Sequence, residues 1–289
     1  MMRKITVAHS PDADDIFMYY AIKFGWISLK NSKFINFPLD IETLNQEALK
    51  LKYDVSAISF ALYPKISEDY ALLNTGVSFG NGYGPKLVKK KGTILKRNFK
   101  VALSGENTTN AMLFKISYPQ ARIIYKNFLE IEQAVISGEV HAGLLIHESI
   151  LNFSEELEVE REIWDIWNEL NNNKNIPLPL GGMVIRRSIP LLRAINIQEI
   201  LTDAVKLAVS NQKILSDMLL ERKDVRIDEV QLKKYLSLYA NIDSIQMSEI
   251  YIESINRLFE IGYKHGFYSQ KLDINNYMIP VEYRNLRFN

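Results

Sequence analysis

The chain has 289 residues, 47% hydrophobic and 24% charged, with 35 Lys+Arg against 34 Asp+Glu, four His and no Cys. A net charge of +1 gives no general electrostatic reason to bind nucleic acid. The missing cysteine excludes disulfides, a thiolate nucleophile and a cysteine-ligated zinc cluster, and a metal site would need mostly oxygen ligands. A chain of this length buries roughly 75% of its unfolded surface and is near the size where one core gives way to two.

The N-terminal "KITVAH" is short, β-branched and apolar, and reads as a first strand. It reaches the polar "HSPDADD" too soon for a signal-peptide apolar region, and no later run approaches the ~20 apolar residues that span a bilayer. These features predict a cytoplasmic protein without membrane contact. Pro11 interrupts the strand, and Asp14 or Asp15 is placed to cap a helix carrying Phe17, Tyr20, Ala21 and Phe24 and ending at Gly25. The theme repeats after "INFPLD". Glu42-Thr43 opens a helix with Leu44, Ala48 and Leu51 on one face, and "VSAISFALY" follows as a buried strand or strand-turn segment. Strands alternating with helices at this spacing predict a parallel α/β sheet.

At "SFGNGYGPKLVKKKG" the texture changes. Gly80, Gly82, Gly84 and Pro85 fit a crossing between domains better than a nucleotide loop, because no helix follows them. Lys89-Lys90-Lys91 reads as a solvated hairpin tip. A second unit then begins with strand, turn and helix in "FKVALSGENTTNAMLFKI", a strand in "ARIIYKNF", and helix, glycine turn and strand in "LEIEQAVISGEVHAGLLIHESI". "NNNKNIPLPLGGMVIRR" closes it with a surface loop and a strand that starts at paired glycines. From Pro190 the pattern is helical, and the tail "INNYMIPVEYRNLRF" reads as a segment laid across a surface.

Three groups could carry chemistry. Thr108-Thr109 stand at a helix start, where free N–H groups and the helix dipole favour an anion, though simple capping explains the same residues. His147 ends a strand beside Glu148, and strand C-termini in open α/β sheets face the ligand crevice. Histidine takes a proton near neutral pH, but a structural histidine bonded to a carbonyl fits as well. His141 and His265 read as structural, the latter as a cation at a helix C-terminus. Asp12, Asp14 and Asp15 resemble a metal cluster only superficially, and helix capping is the stronger expectation.

Taken together, "AHSPDADDIFMYYA", "ETLNQEAL", "SAISFALYP", "GYGPKLV", "SGENTTNAM", "SGEVHAGLLIHES" and "LPLPLGGMVIRR" resemble the 1,4-dihydroxy-6-naphthoate synthases of the futalosine route to menaquinone. The resemblance runs from the start to about Arg187 and is weaker beyond. It implies a two-domain α/β architecture of the periplasmic-binding-protein type (type II) with a central ligand cleft. Residues 1–90 and 184–289 would form a discontinuous larger domain, and 91–183 an inserted smaller one. The family converts cyclic dehypoxanthinyl futalosine to 1,4-dihydroxy-6-naphthoate and a sugar-derived fragment, without redox cofactor or metal, as a carbon–carbon lyase.

Carried onto this chain, the resemblance implies His147 as proton acceptor. It implies Thr108, Thr109, Ala57, Ile58, Ser59 and Asn45 as contacts to an aromatic carboxylate substrate. Asp14 is a further polar contact on our reading, and Phe17, Phe60 and Tyr83 are candidates for an aromatic cleft wall. Chorismate dehydratase of the same pathway and a non-catalytic solute-binding protein share the architecture. A homodimer stays open, since a dimer face cannot be told from ordinary core in the sequence.

Overall fold

The computed structural model describes residues 3–29 and 32–280. The end of the tail, 281–289, lies outside the described residues. The first unit runs β1 (Arg3–His9), α1 (Ala13–Lys23), β2 (Ser32–Pro38), α2 (Ile41–Leu49), β3 (Val55–Ser59), β4 (Tyr70–Leu72) and β5 (Ser78–Gly80). Next come β6 (Lys86–Lys90), β7 (Lys100–Leu103), α3 (Thr109–Ser117), β8 (Arg122–Tyr125), α4 (Phe128–Ile136), β9 (Ala142–Leu145), β10 (Leu157–Glu162) and α5 (Ile163–Leu170). The strand β11 (Leu178–Arg186) precedes α6 (Leu191–Ser210), α7 (Gln212–Glu221), α8 (Glu229–Tyr239), α9 (Ile242–Ile245) and α10 (Glu249–Lys264).

Two mixed sheets result. The first has six strands in the order β2-β1-β3-β11-β4, with β5 also on β11, and the second has five in the order β10-β6-β9-β7-β8. The parallel pairs are those made by strand–helix–strand units: β1 with β2 and β3, and β7 with β8 and β9. The sheets are not wholly parallel as expected, because β6 and β11 are the strands on which the chain crosses. Each enters its sheet from the far side, so β11 runs antiparallel to β3, β4 and β5, and β6 antiparallel to β9 and β10. The glycine-rich stretch 80–85 and the Pro-bounded stretch before β11 are therefore the two crossings between sheets. β6 belongs to the second sheet and β11 to the first.

Local chemistry explains most elements. Asp40 caps α2 by accepting from Thr43 N (3.1 Å), and Leu44 and Ala48 bury its inner face. Gly25 (φ 70°) and Gly138 (φ 79°) take left-handed conformations just past α1 and α4, as glycine does at helix ends. The lysine run differs from expectation: Lys89 and Lys90 lie within β6, and only Lys91-Gly92 turns. Lys89 is fixed there by Glu158 and Glu160 of β10, at 3.6 and 2.6 Å. The paired glycines sit in the middle of β11 and not at its start. A Cβ on Gly182 would come within 2.9 Å of the Phe60 ring, so this glycine admits Phe60 to the core.

The two sheets are clasped at the cleft mouth. Glu42 of α2 accepts from Asn107 N (3.1 Å) and Asn107 Nδ2 (2.9 Å), while Lys65 Nζ donates to Asn107 Oδ1 (3.2 Å). Gly105 makes the approach possible, since a Cβ there would lie 2.5 Å from the Glu42 Cβ and 2.2 Å from its Oε2. Gly105→Ala is therefore expected to lower stability by about 1–3 kcal/mol, the usual cost of overpacking. Urea unfolding of native and variant protein checks this, and an unchanged midpoint would show that Glu42 yields freely.

Candidate active site

The carboxyl ends of β1, β3, β7 and β9 meet in one cleft of about 780 Å³ between the sheets. Crevices outside strand carboxyl ends are where open α/β sheets bind ligands. The turn after β1 supplies its acidic side. Asp12 stands at the N-cap of α1 with extended backbone (φ −79°, ψ 159°), yet its carboxylate caps nothing. It accepts from Ser10 Oγ and Arg226 Nη2 (3.2 Å), and its Oδ2 lies 2.8 Å from His147 Nδ1. The expected capping by Asp14 or Asp15 does not occur. Asp15 instead accepts from Ser10 N (2.7 Å), and Ala13 N donates to Glu148 Oε1 (3.0 Å) on the opposite sheet.

His147 follows β9 and opens a 3-10 turn over His147–Ile150. Its φ of 54° lies in the left-handed region, which costs a β-carbon-bearing residue energy and clusters at functional sites. The ring meets Phe128 edge-on at 5.0 Å. With Nδ1 on Asp12, the other nitrogen, Nε2, is buried and has no hydrogen-bond partner. Burial alone would lower the pKa of this histidine. The charge and hydrogen bond of Asp12 outweigh it, Glu148 and Asp14 add to them, and the pKa is pushed up to about 9. Burial raises Asp12 in turn, but His147, Ser10 and Arg226 together hold it below the usual carboxylate value.

Asp14 is different. Burial first, then the Asp15 and Asp12 charges, push its carboxyl well above the ordinary value, with His147 opposing and Glu148 adding. Tyr235 OH donates to its Oδ1 at 3.1 Å, and both residues line the cleft.

The opposite wall is apolar and backbone-rich. Ala57, Ile58 and Ser59 line it at the end of β3. Asn45 lies behind them, fully buried, with Nδ2 donating to Ser59 Oγ (3.0 Å) and Oδ1 accepting from Ser59 N (2.9 Å). Its amide is spent on orienting Ser59, so the structure gives Asn45 a positioning place and not one in the cleft wall. Thr108 and Thr109 do line the cleft, but both hydroxyls are committed. Thr108 Oγ1 caps α3 by accepting from Ala111 N (3.1 Å), and Thr109 Oγ1 accepts from Ala61 N (3.2 Å) and donates to Leu180 O (3.1 Å). What this helix start offers a ligand is its first-turn N–H groups. Beside them stand Ser104 Oγ and Asn110 Oδ1, both buried without a partner and both of cleft-lining residues.

The aromatic wall is Tyr235 and Tyr239 of α8. Phe17 and Phe60 are core residues with no exposure, and Tyr83 lines an adjoining cavity of about 560 Å³ with Tyr239. Neither Arg226 nor the α8 tyrosines were singled out in the sequence. They enter from a helical region some 80 residues beyond His147, where spacing carries no hint of the contact. Among the described residues no group of three or more His, Asp or Glu side chains is arranged to hold a metal ion, and no helix is long and apolar enough to cross a membrane.

Two mixed sheets joined by two crossings around a cleft define a protein of the periplasmic-binding-protein-like fold. The periplasmic aliphatic sulphonate binding protein SsuA of Escherichia coli superimposes with a TM-score of 0.66 at 12% identity, over 99% of both chains. An Archaeoglobus fulgidus protein known from its crystal structure matches with a TM-score of 0.82 at 31% identity, over 91% of this chain and 98% of that one. A family profile described as menaquinone biosynthesis covers residues 5–264, and the chain belongs to that family. A relative named 1,4-dihydroxy-6-naphtoate synthase, from Thermus thermophilus, is 28% identical over 266 residues, which are 89% of this chain and 93% of the relative.

Proposed function

We propose that this protein is a 1,4-dihydroxy-6-naphthoate synthase, converting cyclic dehypoxanthinyl futalosine to 1,4-dihydroxy-6-naphthoate as a carbon–carbon lyase without a cofactor. The observation that carries the reading is the pair His147 Nδ1–Asp12 Oδ2 at 2.8 Å, made between opposite sides of the cleft. It fixes the ring so that the buried, unpartnered Nε2 is the atom left to take a proton. Neutral His147 removes a proton from the sugar-derived portion, the bond joining that portion to the ring system breaks, and aromatisation drives the step. Asp12 then stabilises the imidazolium that forms, as a buried carboxylate does for a catalytic histidine.

The substrate carboxylate is placed on the α3 start, held by first-turn N–H groups and Ser104, and the ring system lies between the Ala57–Ser59 strand end and Tyr235. Asn45 acts through Ser59. The same reading divides the chain into a discontinuous larger unit, 1–90 and 184–289, and an inserted smaller one, 91–183. The two units close over the substrate to exclude water and hold base and proton within reach. The reading also places the enzyme in the cytoplasm and leaves a homodimer open as the oligomeric state.

Incubation of purified protein with cyclic dehypoxanthinyl futalosine, and separately with chorismate, tests this by chromatography and mass. Dihydroxynaphthoate from the first is expected. Dehydration of chorismate would assign the earlier pathway step, and tight binding with no product would assign a solute-binding protein.

A further inference from the structure

Carbon–carbon cleavage leaves an electron pair on one fragment, and that pair must be met by a proton. The imidazolium formed by the base returns a proton only to atoms within its own reach, so a carbanion elsewhere in the cleft needs a second donor. Two carboxyls of the cleft lining are pushed up by burial, and Asp14 suits the opposite task better than Asp15, whose rise is opposed by His9 and by the Ser10 N–H it accepts. Asp14 lines the cleft, is 6% exposed, and is faced by carboxylates on most sides: Asp12 and Asp15 from the start of α1 and Glu148 from the turn after β9. Arg226, the nearby guanidinium, is directed to Asp12 (3.2 Å) and Glu148 (4.0 Å) and not to Asp14. The one group that opposes the carboxylates at Asp14 is His147, already paired to Asp12. From α8, Tyr235 OH reaches Asp14 Oδ1 at 3.1 Å. A carboxyl so placed holds its proton to higher pH than an ordinary one, because ionising it would put another negative charge into a buried acidic cluster.

We propose that Asp14 is the general acid of this site, giving its proton to the ring system that receives the electron pair when His147 acts as base. The inference rests on the synthase reading above. The step balances as follows. A hydroxyl proton on the carbon destined to become a carbonyl passes to His147 Nε2, and the O–H electrons form the C=O bond. The carbon–carbon bond to that carbon breaks, the sugar-derived fragment leaves as a carbonyl compound, and the bond's pair passes to the ring system as an enolate. The Asp14 O–H protonates the enolate. The Asp14 carboxylate then regains a proton from the His147 imidazolium through the cleft, so no proton is gained or lost over the cycle. Tyr235, which touches Asp14, holds the carboxyl in position.

Two readouts test this. Infrared spectroscopy of native protein at neutral pH should show the carbonyl stretch of a protonated buried carboxyl. The band should be lost in Asp14→Asn and moved in Tyr235→Phe, which removes a hydrogen bond to that group. This measurement needs no substrate, so it stands apart from the identity of the reaction. In turnover, Asp14→Asn should lower kcat by about 10²–10⁴-fold with KM changed by less than about threefold, since Asn keeps the size and a donor but has no proton to give. Absence of the band from native protein would overturn the assignment whatever the substrate. A variant with native kcat, or one that loses only affinity, would overturn it equally.

Discussion

His147→Asn is expected to lower kcat by about 10²–10⁴-fold while leaving substrate affinity nearly intact. The choice of asparagine matters here. His147 sits at φ 54°, and asparagine is among the few residues with a β-carbon that accept the left-handed region without much strain. Its amide can still meet Asp12, so the cleft keeps its shape and its bridge between the sheets. What is lost is the nitrogen that occupies the Nε2 position, buried and bonded to nothing in the protein. Single-turnover rates beside equilibrium binding of substrate separate the two effects. A variant with native turnover would move the base elsewhere in the cleft.

Asp12→Asn is the second large effect, and its signature lies in pH. His147 has its pKa pushed up to about 9 because Asp12 outweighs burial. Removing the carboxylate charge leaves burial as the leading influence, and the pKa falls toward or below the ordinary histidine value of 6.5. In the native protein kcat/KM, which reports the free enzyme, should rise with pH through neutrality and level near 9, as the fraction of neutral His147 rises. In the variant that limb should move to lower pH. The plateau should drop about 10²-fold or more, because the imidazolium formed in the reaction has lost its counter-charge and the ring its fixed orientation. The same linkage acts on stability. The histidine's folded pKa is raised, so its pairing contributes fully below about 6.5 and is lost as pH rises through about 9. Melting curves of native protein across that window should fall with rising pH, and those of Asp12→Asn should respond less.

The strand–helix alternation over 3–59 and 100–145, the passages between the sheets and the place of His147 just past a strand were readable from periodicity, glycines and prolines, whereas β4, β5, β10 and α5 were not. Those signals are local and the fold obeys them. Contacts made over long sequence separation were not readable. Asp12 lies 135 positions from His147, and nothing in "HSPDADD" says which of three aspartates turns away from its helix to meet a histidine. Capping was the local expectation, and it gave way because the N-cap carboxylate of Asp12 is taken by Ser10, Arg226 and His147, while Asp14 and Asp15 lie inside the first turn. The threonine pair shows the reverse case. Their position at the cleft follows from the helix start, but their hydroxyls are claimed by Ala111, Ala61 and Leu180. The unpartnered Ser104 and Asn110 beside them carry no motif of their own. The lysine run misled for a simple reason, since three cations in a row look solvated until the glutamates of β10 are seen alongside.

The most direct test of the account is turnover of cyclic dehypoxanthinyl futalosine by the native protein, followed as kcat/KM from mildly acidic to alkaline pH. Dihydroxynaphthoate formed at a rate that climbs through neutrality and levels near 9 is the predicted result, with His147 as the base held by Asp12. No product, or a rate that falls across the same range, would contradict it.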